Sequence, residues 1–235
     1  MTGVPRTGAH LVVEALAAAG VRHVFSLSGN QILSLYDATL GHDLSILHTR
    51  HEAAAVHMAD AWGRLADEPG VALVTAGPGH CNAVSALYGA LMSESPVVLL
   101  SGHAPTAQLG RGAFQEMDQA AVAAPVTKAS WTAKDASSLG RDIGEAVRIA
   151  MSGRPGPVHV SLPSTCSMPG SRKAPSCGPS RAPWREHRFQ HPRQTKSRPP
   201  SPPPSARSSS PGRNCRMSLA ARCSPGSKPR PARRP

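Results

Sequence analysis

From residue 8 to residue 162 the chain switches back and forth between runs with an apolar residue every three or four positions and short unbroken apolar runs. That alternation restricts the fold more than any other property of the sequence. Leu11, Val12, Ala15, Leu16 and Ala19 fall at helical spacing and Gly20 follows as a stop, so a helix is predicted over 8–19 and a strand over the next apolar run, 21–27. The same reading predicts helices over 31–40, 52–65, 80–92 and 136–151. It predicts strands over 44–48, 71–75, 97–100, about 126–131 and 158–162, with an irregular stretch over 101–113. Parallel strands need long crossovers, which intervening helices supply. The strand runs are short and β-branched and lack polar alternation, so both of their faces must be covered. The expectation is an α/β fold: a doubly wound, mostly parallel six-stranded sheet with helices on both faces.

At Pro163 the rhythm stops, and composition shows why. Residues 1–163 carry 10 Lys and Arg against 13 Asp and Glu, whereas 164–235 carry 16 against 1, so the formal net charge of +12 belongs to the second part. That part also holds 15 of the 24 prolines. It has too few large apolar residues to offset roughly 1–2 kcal/mol of backbone entropy per ordered residue. We expect one domain over 1–163 and a disordered Pro/Arg/Ser-rich basic tail over 164–235. A basic tail can attract nucleic acid electrostatically. Stacking aromatics are nearly missing from it, with only Trp184 and Phe189, and charge alone reads no sequence, so a nucleic-acid partner is not expected. Cys81 is the single cysteine of residues 1–163, which excludes a disulfide framework there and fits a reducing cytoplasm. No secretory leader and no run of about 18 apolar residues is present, so no membrane association is expected. No metal site is expected either. In the tail, Cys166, Cys177, Cys215 and Cys223 form no pair at zinc spacing, and His51 and His57 lie too far apart around Glu52 for a zincin motif.

In open parallel sheets, ligands bind beyond the carboxyl ends of the strands. Four turns lie there: Ser28-Gly29-Asn30, His51-Glu52, Gly77-Pro78-Gly79 and the segment 110–119. Taken alone, Glu52 is an acid in the first turn of a helix, favoured by the macrodipole by a few tenths to about 1 kcal/mol. Gly77-Pro78-Gly79 joins a strand to a helix, where missing side chains let backbone approach a flat ring. The run GPGHCN lacks the third glycine and the later acid of a dinucleotide fingerprint.

Taken together, RHEAAAVHMADAWGR, VALVTAGPGHCNAVSALYGALMSESPVVLLSG, GAFQEMDQ and GRPGPVHVSLP occur in one order. Over residues 4–163 the chain resembles the N-terminal pyrimidine-binding domain of thiamine-diphosphate enzymes, most closely their acetolactate synthase-like branch. The resemblance implies thiamine diphosphate as cofactor and Glu52 as the catalytic acid at its pyrimidine N1′. There a carboxyl in an apolar cavity exchanges the proton that lets the cofactor's own amino group act as a base. Aspartate would fall short by a methylene, and glutamine could not exchange the proton. The resemblance also brings Gly29, Pro78 and Gly79 to the aminopyrimidine. Asn82 matches a family asparagine, and a helix-surface or capping role explains it equally well. Phe114 and Gln115 match the substrate side, whereas Glu116 fits a plain loop role. Ser28-Gly29-Asn30 departs from the family's Pro-Gly-Gly, which leaves substrate preference open.

The implied chemistry is 2-keto acid decarboxylation and carboligation. The family's central domain and its diphosphate-binding domain are missing, with no Gly-Asp-Gly in the sequence. Mg2+ is therefore expected only through a domain this chain lacks, and FAD is left undetermined. The chain is expected to be a truncated fragment, inactive alone, that forms a homodimer or complements a diphosphate-binding domain. The alternatives are a non-catalytic partner or regulator, and a nucleic-acid binder through the tail. Codons written for a GC-rich gene over 164–174 read, one base back, as Asp-Val-Leu-Asp-Ala-Arg-Val-Glu-Glu-Gly, an ordinary continuation of the family. We therefore expect 164–235 to derive from a shifted frame.

Overall fold

The computed structural model describes residues 7–66 and 68–167. The tail expected to be disordered lies outside the described residues except for 164–167, as do all its cysteines and histidines except Cys166.

The elements run α1 (Gly8–Ala18), β1 (His23–Ser26), α2 (Leu33–Ala38), β2 (Ser45–His48), α3 (Glu52–Leu65), β3 (Gly70–Val74), α4 (Pro78–Met92) and β4 (Val97–His103). They continue with α5 (Gln119–Ala123), β5 (Ala129–Thr132), α6 (Leu139–Met151), β6 (Val158–Pro163) and α7 (Ser164–Ser167). The six strands form one sheet in the order β2-β1-β3-β4-β6-β5. Every pairing is parallel, so the doubly wound α/β expectation is met.

Alternate residues of each central strand face opposite layers, and both faces are apolar. Val71 and Leu73 of β3 pack with Val98 and Leu100 of β4 against α1, α2 and α6, through Val12, Leu16, Leu35, Ile143 and Val147. Ala72 and Val74 pack with Val97 and Leu99 on the other side, against Ala55, Val56 and Ala59 of α3 and Ala83, Leu87 and Ala90 of α4. This two-sided burial is why the strands read as unbroken apolar runs. β3, β4 and β6 are buried throughout, while the edge strands β2 and β5 are only half-covered.

Helix α3 matches its predicted bounds. His51 is its N-cap, with Nδ1 accepting from the Ala53 amide at 3.1 Å. Glu52 and Arg64 place opposite charges at the two ends of the helix dipole. Its small residues let it lie close to the sheet: a Cβ on Gly70 would meet the Ala59 carbonyl oxygen at 1.8 Å.

Three segments differ from expectation. Strand β4 runs on to His103 through positions expected to be irregular, because Ser101 and His103 pair in register with Ser161 and Pro163 of β6. Helix α5 and a 3-10 turn at Ala124–Val126 occupy residues expected as loop and strand start, and β5 begins only at Ala129. Beyond Pro163, where disorder was expected to begin, α7 adds one turn, and Cys166 is buried in the core beside α1. Gly8 lies so close to it that a Cβ there would meet the Cys166 carbonyl oxygen at 1.8 Å.

Candidate functional site

The chain moves outward from β1 to β2, then returns to place β3 on the other side of β1. This reversal opens a crevice at the carboxyl ends of β1 and β3, and all four turns singled out in the sequence reach it. Glu52, at the first position of α3, is 8% exposed, and its Oε2 accepts a hydrogen bond from Asn82 Nδ2 at 3.0 Å. Its other oxygen faces α4 where that helix has no side chain: a Cβ on Gly79 would lie 3.1 Å from Glu52 Oε1 and 2.7 Å from Thr75 Cγ2. Gly29 approaches the same threonine, with a Cβ there 2.4 Å from Thr75 Cβ. Pro78 opens α4 at its first turn, where a missing amide hydrogen costs nothing.

Gln115 sits against the same turn, and a Cβ on Gly77 would lie 2.9 Å from Gln115 Cβ. Both residues have positive φ, +57° at Gly77 and +60° at Gln115. For a glutamine this is an uncommon conformation that the surroundings must enforce. Gln31 Nε2 donates to Gln115 Oε1 at 3.0 Å, and Thr75 Oγ1 donates to Gln31 Oε1 at 2.5 Å. Phe114 is 75% exposed, on the rim of an open cleft of about 340 Å3 that Gln31, Leu33, Ala104 and Pro105 also line. Glu116 turns away to accept from the amides of Gly110 and Ala113, and these amides hold its carboxyl below the usual range. Its loop role is thus a closing bracket for residues 110–113.

The sequence reading missed Thr75, Gln31 and Gln119. Gln119 is fully buried and ties three elements together. It accepts from the Gly77 amide at 3.0 Å and donates to the Gly102 carbonyl at 3.0 Å and to Ser161 Oγ at 2.5 Å. The available signal was position, since Thr75 ends the strand before Gly77 and Gln31 follows Gly29 by two residues.

Beneath this surface lies a buried group of imidazoles: His80 from α4, His103 from β4 and His159 from β6. His80 Nδ1 is 2.8 Å from Ser101 Oγ and His159 Nδ1 is 2.9 Å from Ser130 Oγ, with 4.6 Å between the two ring centroids. Burial disfavours the charged forms. It lowers His80 to about 4, lowers His103, and takes His159 well below its usual value, where the neighbouring histidines add to the effect. Burial thus favours the neutral form of each.

The Glu52, Asn82 and Gly79 arrangement suits an aminopyrimidine. The carboxyl is shielded from water and held by one amide, and Gly79 leaves its second oxygen against bare backbone, while Gly29 makes room for Thr75. Among the described residues no group of three or more His, Cys, Asp or Glu could hold a metal ion. No described helix is long and apolar enough to cross a membrane.

Residues 6–122 match the family model of the thiamine pyrophosphate enzyme, N-terminal TPP binding domain. The acetolactate synthase isozyme 3 large subunit of Escherichia coli is 42% identical over 168 residues, covering 71% of this chain and 29% of the relative. The acetolactate synthase large subunit of Haemophilus influenzae is 42% identical over 159 residues, 67% of this chain and 28% of the relative. The 2-hydroxyacyl-CoA lyase 2 of Danio rerio is also 42% identical over 159 residues, 68% of this chain and 26% of the relative. The chain thus spans between 26% and 29% of the length of these relatives.

Proposed function

Residues 6–122 belong to the thiamine pyrophosphate enzymes as their N-terminal TPP binding domain, acetolactate synthase-like in sequence, and from that premise we propose that Glu52, Asn82 and Gly79 take the aminopyrimidine half of thiamine diphosphate. The observation that supports this most is the division of labour on the Glu52 carboxyl. Asn82 occupies Oε2, while Oε1 faces the bare backbone of Gly79 and has no hydrogen-bond partner among the described residues. Glu52 then holds and releases a proton at the pyrimidine N1′ through Oε1, and Asn82 keeps the carboxyl plane fixed as it does so. Gly29 and Pro78 flank the ring position, and Gln115 with Phe114 faces the substrate. When bound, the cofactor supplies a carbon nucleophile for decarboxylation and carboligation of a 2-keto acid such as pyruvate.

We assign the diphosphate and its Mg2+ to a separate domain. That domain is contributed by a partner chain or by a longer form of this one, in keeping with the 26–29% of the relatives' length spanned here. The chain then works within an assembly, as a homodimer or as the complement of a diphosphate-binding domain. An exposed free Cys81 fits a reducing cytoplasm.

The test is a titration of the full chain with thiamine diphosphate, followed by backbone amide NMR. Saturable shifts centred on Gly29, Glu52, Gly79 and Asn82, abolished in Glu52→Ala, support the assignment. Absence of shifts at these four amides, or an unchanged response in Glu52→Ala, sinks it.

A further inference from the structure

Three polar side chains cross the carboxyl ends of the strands, each lying against a glycine. Thr75 packs where a Cβ on Gly29 would come within 2.4 Å of it. Gln31 packs where a Cβ on Gly102 would lie 2.7 Å from Gln31 Cβ, and Gln115 stands over Gly77 in the same way. The glycines of three different segments thus leave room for a single row of hydrogen bonds. In that row donation runs one way, from Thr75 Oγ1 to Gln31 Oε1 and from Gln31 Nε2 to Gln115 Oε1.

The direction matters chemically. A primary amide has an acceptor end and a donor end, and satisfying one leaves the other for a ligand. Gln31 occupies the Gln115 carbonyl, so Gln115 presents its two N–H donors, for which no described residue supplies an acceptor. A threonine hydroxyl at the head of the row donates readily to an amide oxygen, and each polarised amide strengthens the next bond. Gln115 is itself half-buried and held at φ +60°, so its amide has little freedom to choose another orientation.

We propose that Gln31 is a positioning residue. It fixes the Gln115 amide with its donors toward the ligand, so that the site selects a carbonyl or carboxylate oxygen. This rests on the reading of the site given under Proposed function. Gln31 does not touch the ligand in this assignment; it decides which end of Gln115 does.

The experiment uses the full chain with 15N-labelled side-chain amides, as wild type, Gln31→Ala, Gln31→Glu and Thr75→Val, with and without thiamine diphosphate, and pyruvate as the probe. In the ligand-free wild type, a Gln31 Nε2 proton is expected to be protected from exchange and the Gln115 Nε2 protons unprotected. Gln31→Glu reverses the row, because a carboxylate can accept from Gln115 and cannot donate to it. One Gln115 Nε2 proton should then move downfield and gain about tenfold protection. With thiamine diphosphate present, pyruvate should shift the Gln115 Nε2 signal saturably in wild type. It should bind about fivefold or more weakly in Gln31→Ala and Gln31→Glu, with Thr75→Val between them and wild type. Thermal midpoints should stay within about 2 °C, since Gln31 is only half-buried. Identical ligand-free Gln115 signals in wild type and Gln31→Glu overturn the proposal, as does an unchanged pyruvate affinity or a wild-type Gln115 that ignores pyruvate. If the Gly79 and Asn82 amides ignore thiamine diphosphate, the cofactor reading fails instead, and the ligand-free pattern still decides the role of Gln31.

Discussion

A carboxyl that faces bare backbone on one side and an amide on the other is sensitive to single added atoms. In Gly79→Ala the new methyl lies 2.7 Å from Thr75 Cγ2, a β-branched atom that cannot swing away, and 3.1 Å from Glu52 Oε1. We expect a destabilisation of about 1–3 kcal/mol. Because the methyl crowds the Glu52 oxygen proposed to meet the cofactor, thiamine diphosphate affinity should also fall at least tenfold; calorimetric titration that finds wild-type affinity refutes this. Glu52 was singled out in the sequence because it opens a helix among characteristic neighbours, whereas the sequence left Asn82 open between a site role and a helix-surface one, and its hydrogen bond to Glu52 emerges only in the fold. Gln31 and Thr75 were not singled out, since a lone Gln or Thr at a strand end is compatible with solvent, and only the close approach at residues 29, 77 and 102 turns them inward. The buried imidazoles make a second residue-scale prediction. A histidine lowered by folding binds fewer protons in the native state than in the unfolded chain, so stability is full above about 6.5 and is lost as pH falls toward about 4, the value for His80. His159 and His103 act in the same sense, opposed at His103 by a backbone hydrogen bond to Met117 and then by the carboxylates of Glu116 and Asp118. Each titrating histidine contributes about 1.4 kcal/mol per pH unit over its window, so His80 alone accounts for about 3 kcal/mol. Urea midpoints should therefore drop steeply between pH 6.5 and 4.5, and His80→Leu should flatten that slope by about one proton. A stability that does not change between pH 7 and pH 5 excludes this account.

The elements that the sequence located best are those whose signal is local. Helix α3 has a cap, an acid at its start and a base at its end, and small residues at four-residue spacing toward the sheet, so its bounds were readable. The poorest were β4 beyond Leu100 and α5, and the reason is tertiary. Ser101, Gln119, Ser130, His159 and Ser161 look like loop residues singly, but in the fold Ser101 pairs with His80, Gln119 with the Gly102 carbonyl and Ser161, and Ser130 with His159, across α4, α5, β4, β5 and β6. A polar layer of this kind has no period in the sequence. Gln119 is its centre, and it also fastens the Gly77 turn from below. Gln119→Leu leaves the Gly77 amide, the Gly102 carbonyl and Ser161 Oγ without that partner in a site closed to water. A loss of about 2–4 kcal/mol is expected in chemical unfolding. Hydrogen exchange at the Gly77 amide should quicken by more than the global loss explains. Equal protection of that amide in both proteins means that Gln119 does not hold the turn. Packing of α3 offers a cleaner geometric case. Gly70→Ala drives a methyl to 1.8 Å from the Ala59 carbonyl oxygen, and backbone cannot yield as a side chain does, so more than about 3 kcal/mol should be lost.

At the scale of the molecule, the stretch that matches the family model and the stretch that closes the sheet differ in length. The match ends at residue 122, after β4, yet strand order places β6 directly beside β4 and leaves β5 at the edge. Val158, Val160 and Leu162 of β6 belong to the same apolar cluster as Val71, Leu73, Val98 and Leu100, and α6 covers that face through Leu139, Ile143 and Val147. A chain cut at 122 therefore strips one side of the central strand and exposes a row of unpaired backbone groups along it. The last turn adds a smaller increment, because Cys166 is 4% exposed and its carbonyl lies against Gly8, next to Leu139. Three lengths separate these contributions. Residues 1–122 should give no cooperative transition, 1–163 should fold but with stability lower by about 1–3 kcal/mol, and 1–167 should unfold cooperatively with α1 fully covered. Circular dichroism with urea melts on the three proteins distinguishes the outcomes. A cooperative melt of residues 1–122 matching that of 1–167 would show that β6 and α6 are dispensable, and that the cofactor-binding turns are held by the first four strands alone.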